Sequence, residues 1–228
     1  MKKLLYITLL ISTMIIKTLD QKDLPEPYAS IKLLPYNMQS FFGEFCANSI
    51  KKIIDEIKPK IALEVGSWHG ASAIFTAQNL SDDAKFYAVD HWLGQKIYPG
   101  TDRSKEHKTL YQQFLSNVIH SGLSHKITPI RMESLLAAEQ INVKPDLIYI
   151  DANHEEEDVY NDIMAWYPVL NEGGVLCGDD WSWGNGQPVQ KAVVRAAKKL
   201  KLEIEHNAKF WRFKGTKQTK ATVENNEK

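Results

Sequence analysis

The stretch Ile61-Ala-Leu-Glu64-Val-Gly66-Ser67-Trp68-His69-Gly70-Ala-Ser-Ala-Ile-Phe75 decides the fold. Its first five residues are a mostly apolar run of strand length, and a helical pattern over 70–80 follows directly. Gly66 permits a tight turn between them, and Gly70 lets the helix begin close to the strand. A helix start placed there offers unpaired backbone N–H groups to a ligand. The plainer reading is a pair of glycines that serves strand–helix packing alone. A dinucleotide fingerprint would need a glycine two residues after Gly66. Trp68 holds that place and would block the approach of a pyrophosphate. The phosphate loop GxxxxGK followed by Ser or Thr is absent too.

Outward from this unit the pattern repeats. Strand-like runs at 61–65, 85–89, 127–130, 146–150 and 175–178 alternate with helical patterns at 70–80, 105–120, 134–140, 155–170 and 188–200. Five such alternations predict a doubly wound α/β domain: a parallel sheet with helices on both faces. Before them, Met38, Phe41, Phe42, Phe45, Ser49, Ile50, Ile53, Ile54 and Ile57 follow helical spacing, with Pro59 as the stop. After them, residues 202–205, a turn at 206–208 and residues 209–213 predict a closing hairpin. The expected organisation is a hydrophobic leader at 1–19, a Pro-rich linker or wrap at 20–37, one domain over 38–213 and a polar tail at 214–228.

Composition narrows the function classes. The 228 residues carry 28 basic and 28 acidic side chains, a formal net charge of zero that argues against a nucleic-acid binder. Apolar residues make up 43% and charged residues 25%, as in an ordinary globular protein. Cys46 and Cys177 stand alone with no CxxC pair, which excludes a structural zinc site. The leader, MKKLLYITLLISTMIIKTL, places two lysines before an apolar run at 4–16. As a helix that run spans about 20 Å, short of a bilayer core of about 30 Å. It resembles a secretory signal, yet Lys17, Thr18, Leu19 and Asp20 stand where a small-x-small cleavage site belongs. A cleaved signal, an uncleaved anchor associating residues 4–16 with a membrane, and an ordinary N-terminal helix all stand open.

Parallel sheets bind ligands beyond the carboxyl ends of their strands, and chemistry-bearing residues sit there. Asp90 ends the second strand, where a carboxylate can accept hydrogen bonds from both ribose hydroxyls; His91 and Trp92 follow and could stack on a base. A turn or cap role is the plainer alternative for Asp90. Glu133 and Ser134 follow the third strand, as ligand contacts or as a helix cap. Asp151 ends the fourth, and Asp179 and Asp180 follow the fifth. Three carboxylates gathered at one edge repel unless one is protonated or a cation sits between them, and all-oxygen ligands suit Mg2+, Ca2+ or Mn2+. The alternative is that one orients a loop while the others face water. His154, three residues after Asp151, could be a general base, a metal ligand, a substrate contact or a helix cap. Trp181 and Trp183, on a glycine-rich loop ahead of Pro188, could cover a substrate, and the loop at 92–103 is a candidate lid.

The pattern of Glu64, Gly66 and Gly70 after the first strand, with an acidic residue ending the second, resembles class I S-adenosylmethionine-dependent methyltransferases over about residues 38–213. The block Asp146-Leu-Ile-Tyr-Ile-Asp151-Ala-Asn-His154, followed by Asp162, Trp166, Leu170, Gly173-Gly174 and Asp179-Asp180-Trp181, is similar to the subgroup holding macrocin-type and small-molecule O-methyltransferases. The resemblance implies a Rossmann-like, mostly parallel seven-stranded sheet whose last strand is antiparallel. It implies S-adenosylmethionine as cofactor, with Glu64, Gly66 and Gly70 lining its methionine part, Asp90 holding the ribose and Glu133 or Ser134 near the adenine; Ser67, His91, Trp92 and Asp151 are further expected cofactor contacts. Metal-dependent catechol-type relatives carry Asp at the first acidic position and Asp-Asn at the later pair, where this chain has Asp179-Asp180.

The expected activity is methyl transfer to a small-molecule hydroxyl. Asp151, His154 and Asp180 are the expected catalytic residues, and a divalent ion on Asp151, Asp179 and Asp180 would assist. The alternatives are a non-catalytic cofactor-binding module and a nicotinamide-dependent enzyme, against which Trp68 argues. Because S-adenosylmethionine is made and used inside cells, a cytoplasmic or membrane-associated protein is the expectation, with secretion left open.

Overall fold

Strand propensity in this chain comes from short runs buried on both faces. In the computed structural model, which describes residues 20–39, 42–94 and 108–214, β1 (Ile61–Val65), β2 (Lys85–Asp90), β3 (Ile127–Arg131), β4 (Leu147–Ile150) and β5 (Val175–Gly178) form a parallel sheet. All four residues of β4 and of β5 are buried, which is why they read as continuous apolar runs rather than alternating ones. The last two strands, β6 (Ile204–Asn207) and β7 (Phe210–Phe213), close the sheet as an antiparallel hairpin in the order β3-β2-β1-β4-β5-β7-β6. The hairpin turns two residues later than the sequence pattern predicts. Asn207 pairs with Phe210, and Ala208 takes the left-handed conformation at φ 53° that the turn requires.

Among the described residues six α-helices cover the two faces: α1 (Glu44–Ile57), α2 (Ala71–Asn79), α3 (Leu110–His120), α4 (Ser134–Gln140), α5 (Glu156–Val169) and α6 (Pro188–Leu200). Strand alternation divides the core between them. Ala62, Leu147 and Tyr149 pack with Ile50, Phe86 and Phe114 on one face, while Leu63, Ile148 and Ile150 pack with Ile163, Trp166 and Val193 on the other. The helix expected from residue 38 begins at Glu44, because Gly43 is extended at φ −97°, ψ 165°; Met38 and Phe42 keep their apolar role by packing against the core from irregular backbone.

The segment at 20–37 wraps the domain. Tyr28 is buried and its hydroxyl donates to the Ile127 carbonyl at 2.8 Å. Leu34 N–H donates to Ser116 Oγ and Asn37 N–H to Asn117 Oδ1, each at 3.0 Å. No helix among the described residues is long and apolar enough to cross a membrane. The leader at 1–19, Phe41, the 95–103 part of the candidate lid, His107 and the tail from 215 lie outside the described residues. The order places a switch between β1, from which the chain steps outward to β2 and β3, and β4, where it steps back across. Ligands bind at such a point in an open α/β sheet.

Candidate active site

A cavity of about 790 Å³ opens at that switch, walled by the loops after all five parallel strands and by Lys209 from the β6–β7 turn. This volume lies within the range of small-molecule sites.

One end is the loop after β1. Gly66 has φ +92°, and a Cβ there would lie 2.2 Å from the Asp151 carbonyl oxygen, so β1 and β4 can diverge here only around a glycine. Ser67 donates its hydroxyl to Glu64 Oε2 at 2.6 Å. Glu64 lies behind the cavity wall, with Oε1 buried and lacking a hydrogen-bond partner. Leu63 and Val65 point into the opposite layer, so alternation turns Glu64 beneath the loop, where it is 1% exposed. Burial pushes its pKa up to about 7, with the Ser67 hydroxyl partly opposing the shift.

Asp90 braces the same loop: Oδ2 accepts the Trp68 N–H at 2.9 Å and Oδ1 accepts the Trp92 N–H at 2.6 Å. Each oxygen keeps a further acceptor position, and Asp90 and His91 both line the cavity. Trp92 does not, which corrects its reading as a stacking partner for a base. Its backbone is left-handed at φ 52°, and its ring turns inward against Tyr111 and Phe114, at 4.8 and 4.7 Å between centroids. Its indole N–H donates to the Trp68 carbonyl at 2.9 Å, so Trp92 supports the loop from within.

Glu133 and Ser134 line the far wall at the start of α4. The Ser134 hydroxyl donates to Asp162 Oδ1 at 2.5 Å and accepts the Trp166 indole N–H at 2.9 Å. Asp162 also lines the cavity, and burial pushes its pKa up to about 6, with Ser134 partly opposing. Its four-residue spacing from Trp166, one turn of helix, was the available sequence signal for this wall residue.

The other end gathers Asp151, His154 and Asp180, each offering one ligand atom within 4.8 Å of the others. His154 Nε2 stands 2.7 Å from Asp180 Oδ2, a close contact outside hydrogen-bond geometry. Asp179 also lines the cavity but lies outside this group. Its Oδ1 accepts the Asp180 N–H at 2.6 Å and the Cys46 S–H at 3.1 Å, so His154 takes the third place that the sequence pattern gave to Asp179. Burial pushes the Asp151 carboxyl well above the usual range, and the charges of Asp179, Glu64 and Asp180 push the same way. Burial pushes Asp180 up as well, but His154 and Lys209 outweigh it and hold its carboxyl below the ordinary value. The two carboxyl groups are thus pushed in opposite directions at one end of the cavity. Two carboxyl groups and one imidazole could hold a first-row divalent ion that accepts both oxygen and nitrogen ligands, and the imidazole makes the set a poorer match for Mg2+ or Ca2+. Of the two loop tryptophans, Trp181 is buried and stacked on His206 at 4.5 Å, while Trp183 lies 4.8 Å from the His154 ring and lines the cavity.

A parallel sheet closed by an antiparallel β7, a glycine turn after β1 and an acid ending β2 define a class I methyltransferase fold. A methyltransferase-domain profile matches residues 63–181, just over half of the chain, and the chain belongs to that family. It is 25% identical to caffeoyl-CoA O-methyltransferase of Stellaria longipes over 148 residues, 62% of this chain and 54% of that protein. It is 27% identical to tricin synthase 2 of Oryza sativa subsp. japonica over 142 residues, 59% of this chain and 42% of that protein. The chain thus spans about half the length of the curated relatives it matches. Among solved structures, the O-methyltransferase TomG of Streptomyces achromogenes, in complex with SAM, superposes with TM-score 0.59 at 12% identity over 78% of this chain and 82% of that one. An O-methyltransferase of Bacillus cereus in complex with SAH gives TM-score 0.55 at 13% identity over 79% and 83%.

Proposed function

We propose that this chain transfers a methyl group from S-adenosylmethionine to a hydroxyl oxygen of a small molecule. The observation that carries the reading is the His154–Asp180 contact of 2.7 Å at one end of a cavity whose other end is the Gly66–Gly70 loop. O-methyltransferases among the sequence relatives and the solved structures of like fold support it.

Gly66, Ser67 and Gly70 would hold the methionine part of the cofactor, Asp90 and His91 the ribose, and Glu133, Ser134 and Asp162 the adenine end. When bound, the cofactor supplies a methyl group on a sulfonium, a leaving group that needs alignment more than activation. The protein's remaining task is the hydroxyl proton. With Nε2 turned to Asp180, Nδ1 of His154 is the nitrogen left to accept it, and the Asp180 carboxylate stabilises the imidazolium that results. Asp151 stands at the same end, within reach of the acceptor, and Trp183 lies beside the His154 ring.

A second reading rests on the proximity of Asp151, His154 and Asp180. These three, rather than Asp151, Asp179 and Asp180, would hold a divalent ion, which when bound lowers the pKa of an oxygen it contacts. On that reading His154 is a ligand and not the base.

Turnover against a panel of hydroxylated small molecules, with and without chelator, tests the proposal. Asp180→Ala should lower kcat by a factor on the order of 100 or more while S-adenosylhomocysteine binds within about twofold of wild type. No methyl transfer to any acceptor, with intact cofactor binding, would leave a binding module instead.

A further inference from the structure

Lys209 occupies the tight turn between β6 and β7, and its carbonyl accepts the Trp181 N–H at 2.7 Å, which fastens the turn to the loop following β5. That attachment delivers the side chain to the acceptor end of the cavity. Its ammonium lies 3.6 Å from Asp180 Oδ1, while Asp180 Oδ2 faces His154 at 2.7 Å, so each oxygen of this carboxylate already meets a nitrogen of the chain. Among the described residues on the cavity wall Lys209 is the single lysine or arginine, against seven carboxylic side chains. The side chain is 54% exposed. Packing therefore does not fix the ammonium in place, and the attraction of Asp180 orients it.

We propose that Lys209 is a tethered counter-ion that holds, by charge, the place of a divalent cation at Asp180 and so weakens the site's affinity for such an ion. The inference rests on reading Asp151, His154 and Asp180 as the cation group. An ion approaching Asp180 must either displace the ammonium into solvent or bear its repulsion, and within a partly desolvated cavity that repulsion is screened less than at the surface. With Lys209 in place, the charge of Asp180 is balanced without metal.

The test measures Mn2+ binding by calorimetry and by electron paramagnetic resonance on the full chain. It uses wild type, Lys209→Met, Lys209→Arg, and Asp180→Asn in the Lys209→Met background. Retained binding of S-adenosylhomocysteine shows that each variant is folded. Lys209→Met should bind Mn2+ at least tenfold more tightly than wild type, and Lys209→Arg, which keeps the charge, within about threefold of it. Asp180→Asn should abolish the gain. Equal affinity in wild type and Lys209→Met, lost on Asp180→Asn, overturns the role of Lys209 and leaves the cation group standing. Absence of Asp180-dependent Mn2+ binding in every variant overturns the cation group itself, and this inference with it.

Discussion

Two carboxyl groups, Asp151 and Asp180, end neighbouring strands and share one cavity wall, yet their surroundings push them in opposite directions. Sequence position alone could place them together, since each follows a parallel strand of the same sheet. It could not show that Asp179 would be drawn off by Cys46, 133 residues away, because that contact exists only once α1 docks against the sheet. It likewise could not show that a left-handed turn rotates Trp92 out of the site. Glu64 carries a consequence for stability. Burial raises its folded pKa from 4.5 to about 7, so folding favours the protonated form. The stability it contributes is complete below about pH 4.5 and is lost as pH rises through about 7. Glu64→Gln removes this titration. Between those limits wild type should lose about 3 kcal/mol relative to the variant, measured by urea denaturation at a series of pH values.

At the scale of elements, period decided what was legible. The five parallel strands and the helices after them stand where runs and spacings predict, because burial on two faces or along one stripe leaves an unambiguous pattern. Boundaries without such a pattern shifted. The hairpin turn lacks glycine and relies on Ala208 in a left-handed conformation, and the apolar spacing from Met38 continues through a segment that Gly43 keeps out of α1. Helix α3 has a role that no motif announced. Asn117 is fully buried, and its side-chain amide donates to the Asn37 and His69 carbonyls at 2.9 Å each, while its oxygen accepts the Asn37 N–H and a Gln113 amide N–H at 3.0 Å. One side chain thus joins the N-terminal wrap to the loop that borders the cavity. Asn117→Leu leaves these groups buried without partners and should cost about 3 kcal/mol in a denaturation midpoint experiment. Binding of S-adenosylhomocysteine should weaken at the same time, because the loop carrying His69 loses its tie.

For the whole molecule, a net charge of zero conceals an uneven distribution: among the described residues, the cavity wall carries seven acids and one lysine. Uneven packing of the aromatics has a practical result. Of the six tryptophans, Trp92, Trp166 and Trp211 are buried outright, Trp181 is nearly so, Trp68 is partly covered, and Trp183 alone is solvent-facing at 41% exposure. It is also the one whose ring lies beside His154, 4.8 Å between centroids and tilted by 36°. The protein therefore carries an optical reporter at its acceptor end. Acrylamide should quench a red-edge fraction of the fluorescence that Trp183→Phe removes, and an acceptor arriving over His154 should shield that fraction. The unknown acceptor can then be sought by light emission from the unmodified chain, before any turnover assay for it exists.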